Sequence, residues 1–375
     1  MKRSTDRILT SHTGYLHLPG SPGWRGVGFG PRQRDAHAIQ HDVTEAVRAQ
    51  VDAGIDIVND GQLGSDTVLF PSLDGVIVRE VAPGSTPRFA TREFVEFKEF
   101  FESKGGVPGA RTQFTCVGPI TNKGEESVHQ QIQYLKNALV ATPGWQEAFF
   151  AIVAPSWMQE VVGNEYYRTD EEFLYAVADV FKPRYKAIVD AGLILSIDAP
   201  DLPFDWELEK YRNPNLTYEE YCKRKRIHAE VNNYAIDGLP ADRVRLHTCW
   251  GSWSAPHMYA IPLQEIIEII LLTKAQCISI EAAKPNHIHE WKVWQDIEFP
   301  EDKILMPGVI DHTTDVREHP EEIADRIIRY ANIVGRENVI AGTDCGMRGH
   351  PQRDWAKYQA MVEGAAIATK KLWRK

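Results

Sequence analysis

Nine short apolar runs alternate with helical stretches along this chain, and most close on a polar residue just before a loop. They cover 8–14, 55–61, 114–120, 148–155, 193–198, 244–249, 277–281, 304–311 and 339–344. Alternation of strand-length runs with helices implies a parallel sheet. Eight such units close a TIM (β/α)8 barrel and leave one run outside it. A doubly wound open sheet is the alternative. The barrel is favoured because Asp60, Asp198, Cys249, Glu281, Asp311 and Asp344 all stand at the ends of runs. In a TIM barrel such ends meet at one catalytic face. We therefore expect an α/β fold with one barrel domain over residues 1–375.

The helices announce themselves by period. Ile39, Val43, Val47 and Val51 recur every fourth residue within 32–53, and Gly54 stops that helix. Further helices are expected over 126–141, 170–191, 217–234, 262–272, 320–334 and 354–372, with Asp170 as a cap and Gly192 as a stop. Residues 67–109, rich in Phe, Glu and Pro, read as an insertion after the second strand, a hairpin and helix over the barrel mouth. Gly26-Val27-Gly28-Phe29-Gly30 lacks the Gly-Lys-Ser/Thr ending of a phosphate loop, and no strand immediately precedes it.

A formal charge of −10 argues against a nucleic-acid surface, and the basic run Lys223 to Arg226 follows Glu219 and Glu220 as a solvated helix face would. No stretch is apolar enough to span a membrane, and Met1-Lys2-Arg3 leads into polar residues, so a cytoplasmic location is expected. A homo-oligomer stays open. Five cysteines make no disulfide framework. Cys116, Cys222 and Cys277 read as packed thiols; Cys249 and Cys345 each end a strand-like run.

His247, Cys249, Glu281 and Cys345, brought to one mouth, would form an N/S/S/O set that suits Zn2+. A purely structural zinc is the bland alternative, but ligands scattered over separate barrel strands are an unusual clamp.

These residues carry a resemblance. His247-Thr248-Cys249, Ser279-Ile280-Glu281 and Asp344-Cys345-Gly346, in that order, resemble the zinc site of cobalamin-independent methionine synthase. Ile197-Asp198-Ala199-Pro200 and Pro307-Gly308-Val309 fall where that family has related motifs. The resemblance covers nearly the whole chain and is to the catalytic C-terminal barrel. It implies a TIM barrel, one zinc and alkyl transfer onto a thiol sulfur. The family includes short, single-barrel epoxyalkane:coenzyme M transferases, similar in size to this chain. Where the synthases end their first strand in Gly-Ser, this chain has Gly14-Tyr15; where their second ends in Gly-Glu, it has Gly61-Gln62. Asp198 keeps an amino-group position, but Ala199 replaces an acidic neighbour. Losing one carboxylate from a desolvated ammonium pocket costs about 2 kcal/mol. That points to a thiol other than homocysteine, with coenzyme M and a small epoxide favoured over homocysteine and a methylated folate.

The expected partners are thus a small-molecule thiol and a small electrophile. Zinc deprotonates a bound thiol, and two cysteine thiolates keep the incoming sulfur electron-rich. Opening an epoxide or releasing a folate nitrogen needs a general acid. The family's catalytic histidine lies in the loop after Pro-Gly-Val, next to the position of His312, which is the first candidate; His12 is the second. Lys284 and Arg348 are candidate cations for a sulfonate. Trp250, Trp253 and Tyr15 would line an apolar pocket. Two other classes remain: a metal-free decarboxylase resembling uroporphyrinogen decarboxylase, and a non-catalytic zinc-binding barrel.

Overall fold

A computed structural model describes residues 1–18, 35–64, 73–80, 91–103, 112–121, 125–251, 254 and 256–373. Among the described residues the strands are β1 (Leu9–Thr10), β2 (Ile57–Val58), β3 (Val76–Glu80), β4 (Thr112–Cys116), β5 (Glu147–Val153), β6 (Val162–Asn164), β7 (Ile194–Asp198), β8 (Val244–Thr248), β9 (Cys277–Ile280), β10 (Ile304–Ile310) and β11 (Ile340–Thr343). Eight form one sheet in the order β1-β11-β10-β9-β8-β7-β5-β2, every pairing parallel, curled nearly into a closed barrel. The run at 114–120 is the one left outside: its strand, β4, pairs antiparallel with β3 and parallel with β6 in a separate sheet.

The helices are α1 (Ala36–Asp52), α2 (Arg92–Glu96), α3 (Lys98–Ser103), α4 (Glu125–Ala141), α5 (Met158–Val161), α6 (Asp170–Asp190), α7 (Asp205–Arg212), α8 (Tyr218–Ala235), α9 (Leu263–Leu271), α10 (Pro320–Val334) and α11 (Pro351–Leu372). The expected bounds shift by a few residues, each for a local reason. Asp35 caps α1, its carboxylate accepting from the Ala38 N–H, and residues 32–34 of the expected helix lie outside the described residues. Thr169, not Asp170, caps α6: its hydroxyl accepts from the Glu172 N–H, and Asp170 is the first helical residue. Thr217 and Glu220 cap α8 reciprocally. Pro351 starts α11 one turn before Asp354, because a missing N–H costs nothing in the first turn. No described helix is long and apolar enough to cross a membrane.

Within 67–109, the described parts are β3, α2 and α3; the partner of β3 in its hairpin, β4, lies beyond that stretch. Glu93 of α2 is buried, and one carboxylate oxygen accepts from the N–H groups of Met258 and Tyr259. This ties α2 to the loop that follows β8. Gly26 to Gly30 and Trp253 lie outside the described residues.

Alternation along the strands sorts the core into two layers. Leu195, Ile197, Val244, Leu246, Ile278 and Ile280 face the helices. Leu9, Ile57, Phe149, Ile194, Cys277, Ile304, Met306 and Ile340 fill the barrel interior. Between β1 and β2 side chains rather than a strand ladder hold the seam. The Asp56 carboxylate accepts from the Thr10 N–H at 2.9 Å, the Thr10 hydroxyl at 3.1 Å and Arg7, while Ser11 Oγ donates to the Ile57 carbonyl. Replacing Asp56 with Ala leaves a buried N–H and a guanidinium without their acceptor. Denaturant unfolding of Asp56→Ala should show a loss of about 2–4 kcal/mol, with Asp56→Asn intermediate.

Candidate active site

Strand register builds the site. In the parallel ladders Asp198 of β7 stands level with His247 of β8, and His247 level with Ser279 of β9. All three point inward. The hydroxyl of Ser279 is 2.9 Å from His247 Nδ1, which leaves Nε2 buried without a hydrogen-bond partner. One residue past β8, Cys249 faces Cys345 from the end of β11, with the sulfurs 3.6 Å apart. Ligand atoms of His247, Cys249 and Cys345 all lie within 4.8 Å of one another, and all three residues are buried.

This donor set fits zinc. Two sulfurs sharing a tetrahedral zinc at about 2.3 Å each stand about 3.8 Å apart, close to the spacing seen and far longer than a disulfide. The orphaned Nε2 would supply the nitrogen, and the Ser279 contact holds the ring as metal-bound histidines require. The electrostatics already lean toward thiolate. The hydrogen bond from Cys249 and the neighbouring His247 hold the Cys345 thiol well below its usual range, and the same contact pushes Cys249 up. Burial drives the Asp198 carboxyl up to about 6, with His247 opposing, and Asp198 Oδ1 has no hydrogen-bond partner.

Glu281 stands beside this triplet rather than within it. Its Oε2 accepts from the Trp250 N–H at 2.8 Å, and its Oε1 lies 3.3 Å from Lys284 Nζ. With His312 and Asp344 it makes a second buried group of possible ligands. Burial alone would raise its pKa; Lys284 and then His312 outweigh that and hold it at about 2. Asp344 fixes the same loop, its Oδ1 accepting from the N–H groups of Ala282 and Ala283 at 2.7 and 2.8 Å. His312 is buried, and neither ring nitrogen has a hydrogen-bond partner.

Three expectations are corrected. His12 is no proton donor to a substrate: Gln50 Oε1, already accepting from the Asn59 N–H, takes the Nε2 proton at 2.7 Å, and Nδ1 accepts from the Gly14 N–H. Burial lowers its pKa to about 3, so the ring is neutral and both nitrogens are committed. Trp250 is packed among the described residues rather than open to a pocket there. It is fully buried, donates from Nε1 to the Ile261 carbonyl at 2.7 Å and lies against the His287 ring. Lys284 is not a free cation, because Glu281 takes its charge.

Arg348, by contrast, has a buried Nε without a hydrogen bond and holds its guanidinium 5.3 Å from the centre of the Tyr15 ring. The Tyr15 hydroxyl meets His17 Nε2 at 3.0 Å. Gln62 has φ +57°, a left-handed backbone rarely held by a residue with a side chain, and its N–H donates to Asp60. Such strain concentrates at functional sites. Sequence reasoning missed the parts of Ser279 and Asp344. Counting by twos along β9 back from Glu281 finds Ser279 on the inward face; nothing local in sequence reveals that Asp344 holds another strand's loop.

Gly308 shows how tightly that loop is set. A Cβ there would stand 1.9 Å from Asp344 Oδ1 and 2.7 Å from its Cα. Backbone cannot yield as a flexible side chain can, so Gly308→Ala should lower stability by about 3 kcal/mol or more, read as a fall in melting temperature.

The comparisons agree with this architecture. A methionine synthase from Sulfurisphaera tokodaii is 24% identical, across 83% of this chain and 86% of that protein. A 2-hydroxypropyl-CoM lyase from Xanthobacter autotrophicus is 21% identical, across 93% and 90%. The fold matches that of a B12-independent methionine synthase from Shewanella, solved with selenomethionine, at a TM-score of 0.71 and 20% identity over 98% of this chain and 99% of that one. Residues 171–367, more than half the chain, match the family model described as cobalamin-independent synthase, catalytic domain, and the chain belongs to that family.

Proposed function

We propose that this chain is a zinc-dependent thiol alkyltransferase whose metal is held by His247, Cys249 and Cys345, with Glu281 as a fourth ligand displaced by the substrate thiol. The observation that carries this reading is the buried triplet itself: two sulfurs 3.6 Å apart and an imidazole nitrogen with nothing else to bond. Zinc bound there would hold the substrate sulfur as a thiolate at neutral pH. The chain's own groups manage the proton. Burial lowers the His312 pKa, so the ring is neutral and can take the thiol proton on an unengaged nitrogen. As the sulfur–carbon bond forms and the carbon–oxygen bond of an epoxide breaks, the same nitrogen returns that proton to the alkoxide. No outside acid is needed.

The favoured substrates are coenzyme M and a small aliphatic epoxide, giving a 2-hydroxyalkyl thioether. Tyr15 and Gln62 support this, standing where an amino-acid thiol would want a hydroxyl and a carboxylate. So does the guanidinium of Arg348, free at Nε to meet a sulfonate. The similarity to a 2-hydroxypropyl-CoM lyase over most of both chains points the same way. A second reading, methyl transfer to homocysteine, is favoured by one observation: the unpartnered Asp198 Oδ1, which suits an ammonium group.

Zinc-loaded protein should turn over coenzyme M with epoxypropane faster than homocysteine with a methylated folate; the reverse order selects the second reading. Freshly purified protein should carry about one zinc per chain. Cys345→Ser should lose that zinc while staying folded by circular dichroism; finding the metal retained there would refute the ligand set. Ser279→Ala should bind zinc about 10–100-fold more weakly, measured by chelator competition, because the His247 ring loses its orienting partner.

A further inference from the structure

Seven of the eight barrel strands contribute apolar side chains or a thiol to the interior layer. At that level β8 supplies Arg245, fully buried. Its Nε donates to Ser196 Oγ at 3.0 Å, Nη1 to Ser11 Oγ at 3.0 Å and to Met306 Sδ at 3.5 Å, and Nη2 to the His12 carbonyl at 3.1 Å. The guanidinium lies 3.9 Å from the centre of the Phe149 ring. Every one of these partners is neutral, and among the described residues no carboxylate pairs with it. A guanidinium stays protonated at neutral pH, so the charge is present.

A desolvated cation without a counterion is costly, and proteins rarely keep one for packing alone. The nearest functional neighbour is above it. Arg245 and His247 are two residues apart on one strand, so both face inward, about 6.6 Å apart along the chain axis. Two cysteine thiolates would balance a divalent ion at that centre, so a guest thiolate would make it net anionic. Arg245 is the fixed positive charge beneath it.

We propose that Arg245 is a positioning residue whose charge favours an anionic sulfur guest over a neutral one at the His247–Cys249–Cys345 centre. This rests on the metal reading above. For a charge separation of about 10 Å and an effective dielectric of about 20, the preference amounts to about tenfold.

Cobalt-loaded protein tests it without turnover, since guests change the cobalt absorption spectrum. Coenzyme M, homocysteine and imidazole would be titrated into wild type, Arg245→Lys, Arg245→Gln and Arg245→Met at one pH. In the Gln and Met variants both thiols should bind about tenfold more weakly while imidazole affinity holds. Arg245→Lys should stay within about threefold of wild type for all guests. A merely structural guanidinium would weaken thiol and imidazole together, or neither, and either result overturns the inference. If neither neutral variant folds, Arg245→Lys decides: loss of the thiol preference there overturns it, and retention supports it. Wild type that takes up no cobalt or zinc sinks the metal reading instead.

Discussion

The level pairing of β7, β8 and β9 is the constraint on which the rest of the structure depends. Parallel ladders fix Asp198, His247 and Ser279 at one height, and the pleat turns all three inward. A one-residue slip in β8 would send His247 into the helix layer and bring Leu246 to the mouth. The apolar partners of those residues, Ile197, Leu246 and Ile280, sit outside the sheet against the helices. Hydrophobic burial of the outer face is thus what aims the chemistry of the inner one.

The same alternation explains why so much was legible from sequence. Each strand ending on a reactive side chain could be found by its short apolar run, and the barrel follows from repeating that unit with helices between. The gathering of His247, Cys249 and Cys345 was readable because soft ligands at strand ends have few other uses. What stayed hidden was the partner of each group. His12 and Trp250 look available along the chain; only packing reveals Gln50 against one and His287 against the other. Lys284 looks like a free cation until the turn after β9 folds it back onto Glu281. Helix starts moved for similar reasons, since a Thr one residue earlier can cap as well as an Asp.

The site combines two electrical environments a few residues apart. On one side, Glu281 is fixed as a carboxylate by Lys284 and by a backbone N–H. On the other, Asp198 is driven toward its neutral form by burial. Two acids of ordinary chemistry therefore stand at the same mouth with protons held very differently, Glu281 near 2 and Asp198 near 6. Asp344 reinforces the first side by clamping Ala282 and Ala283, and Gly308 makes room for it.

The seam between β1 and β2 also sets how this barrel can diversify. Asn59 Nδ2 donates to the Gly14 carbonyl, and Gln62 Nε2 lies 3.3 Å from where a Gly14 Cβ would stand. The turns that present Tyr15 and Gln62 are one mechanical unit. Exchanging either side chain alone would re-aim the other, so pairwise epistasis is built into this rim, and the two turns are changed most smoothly together.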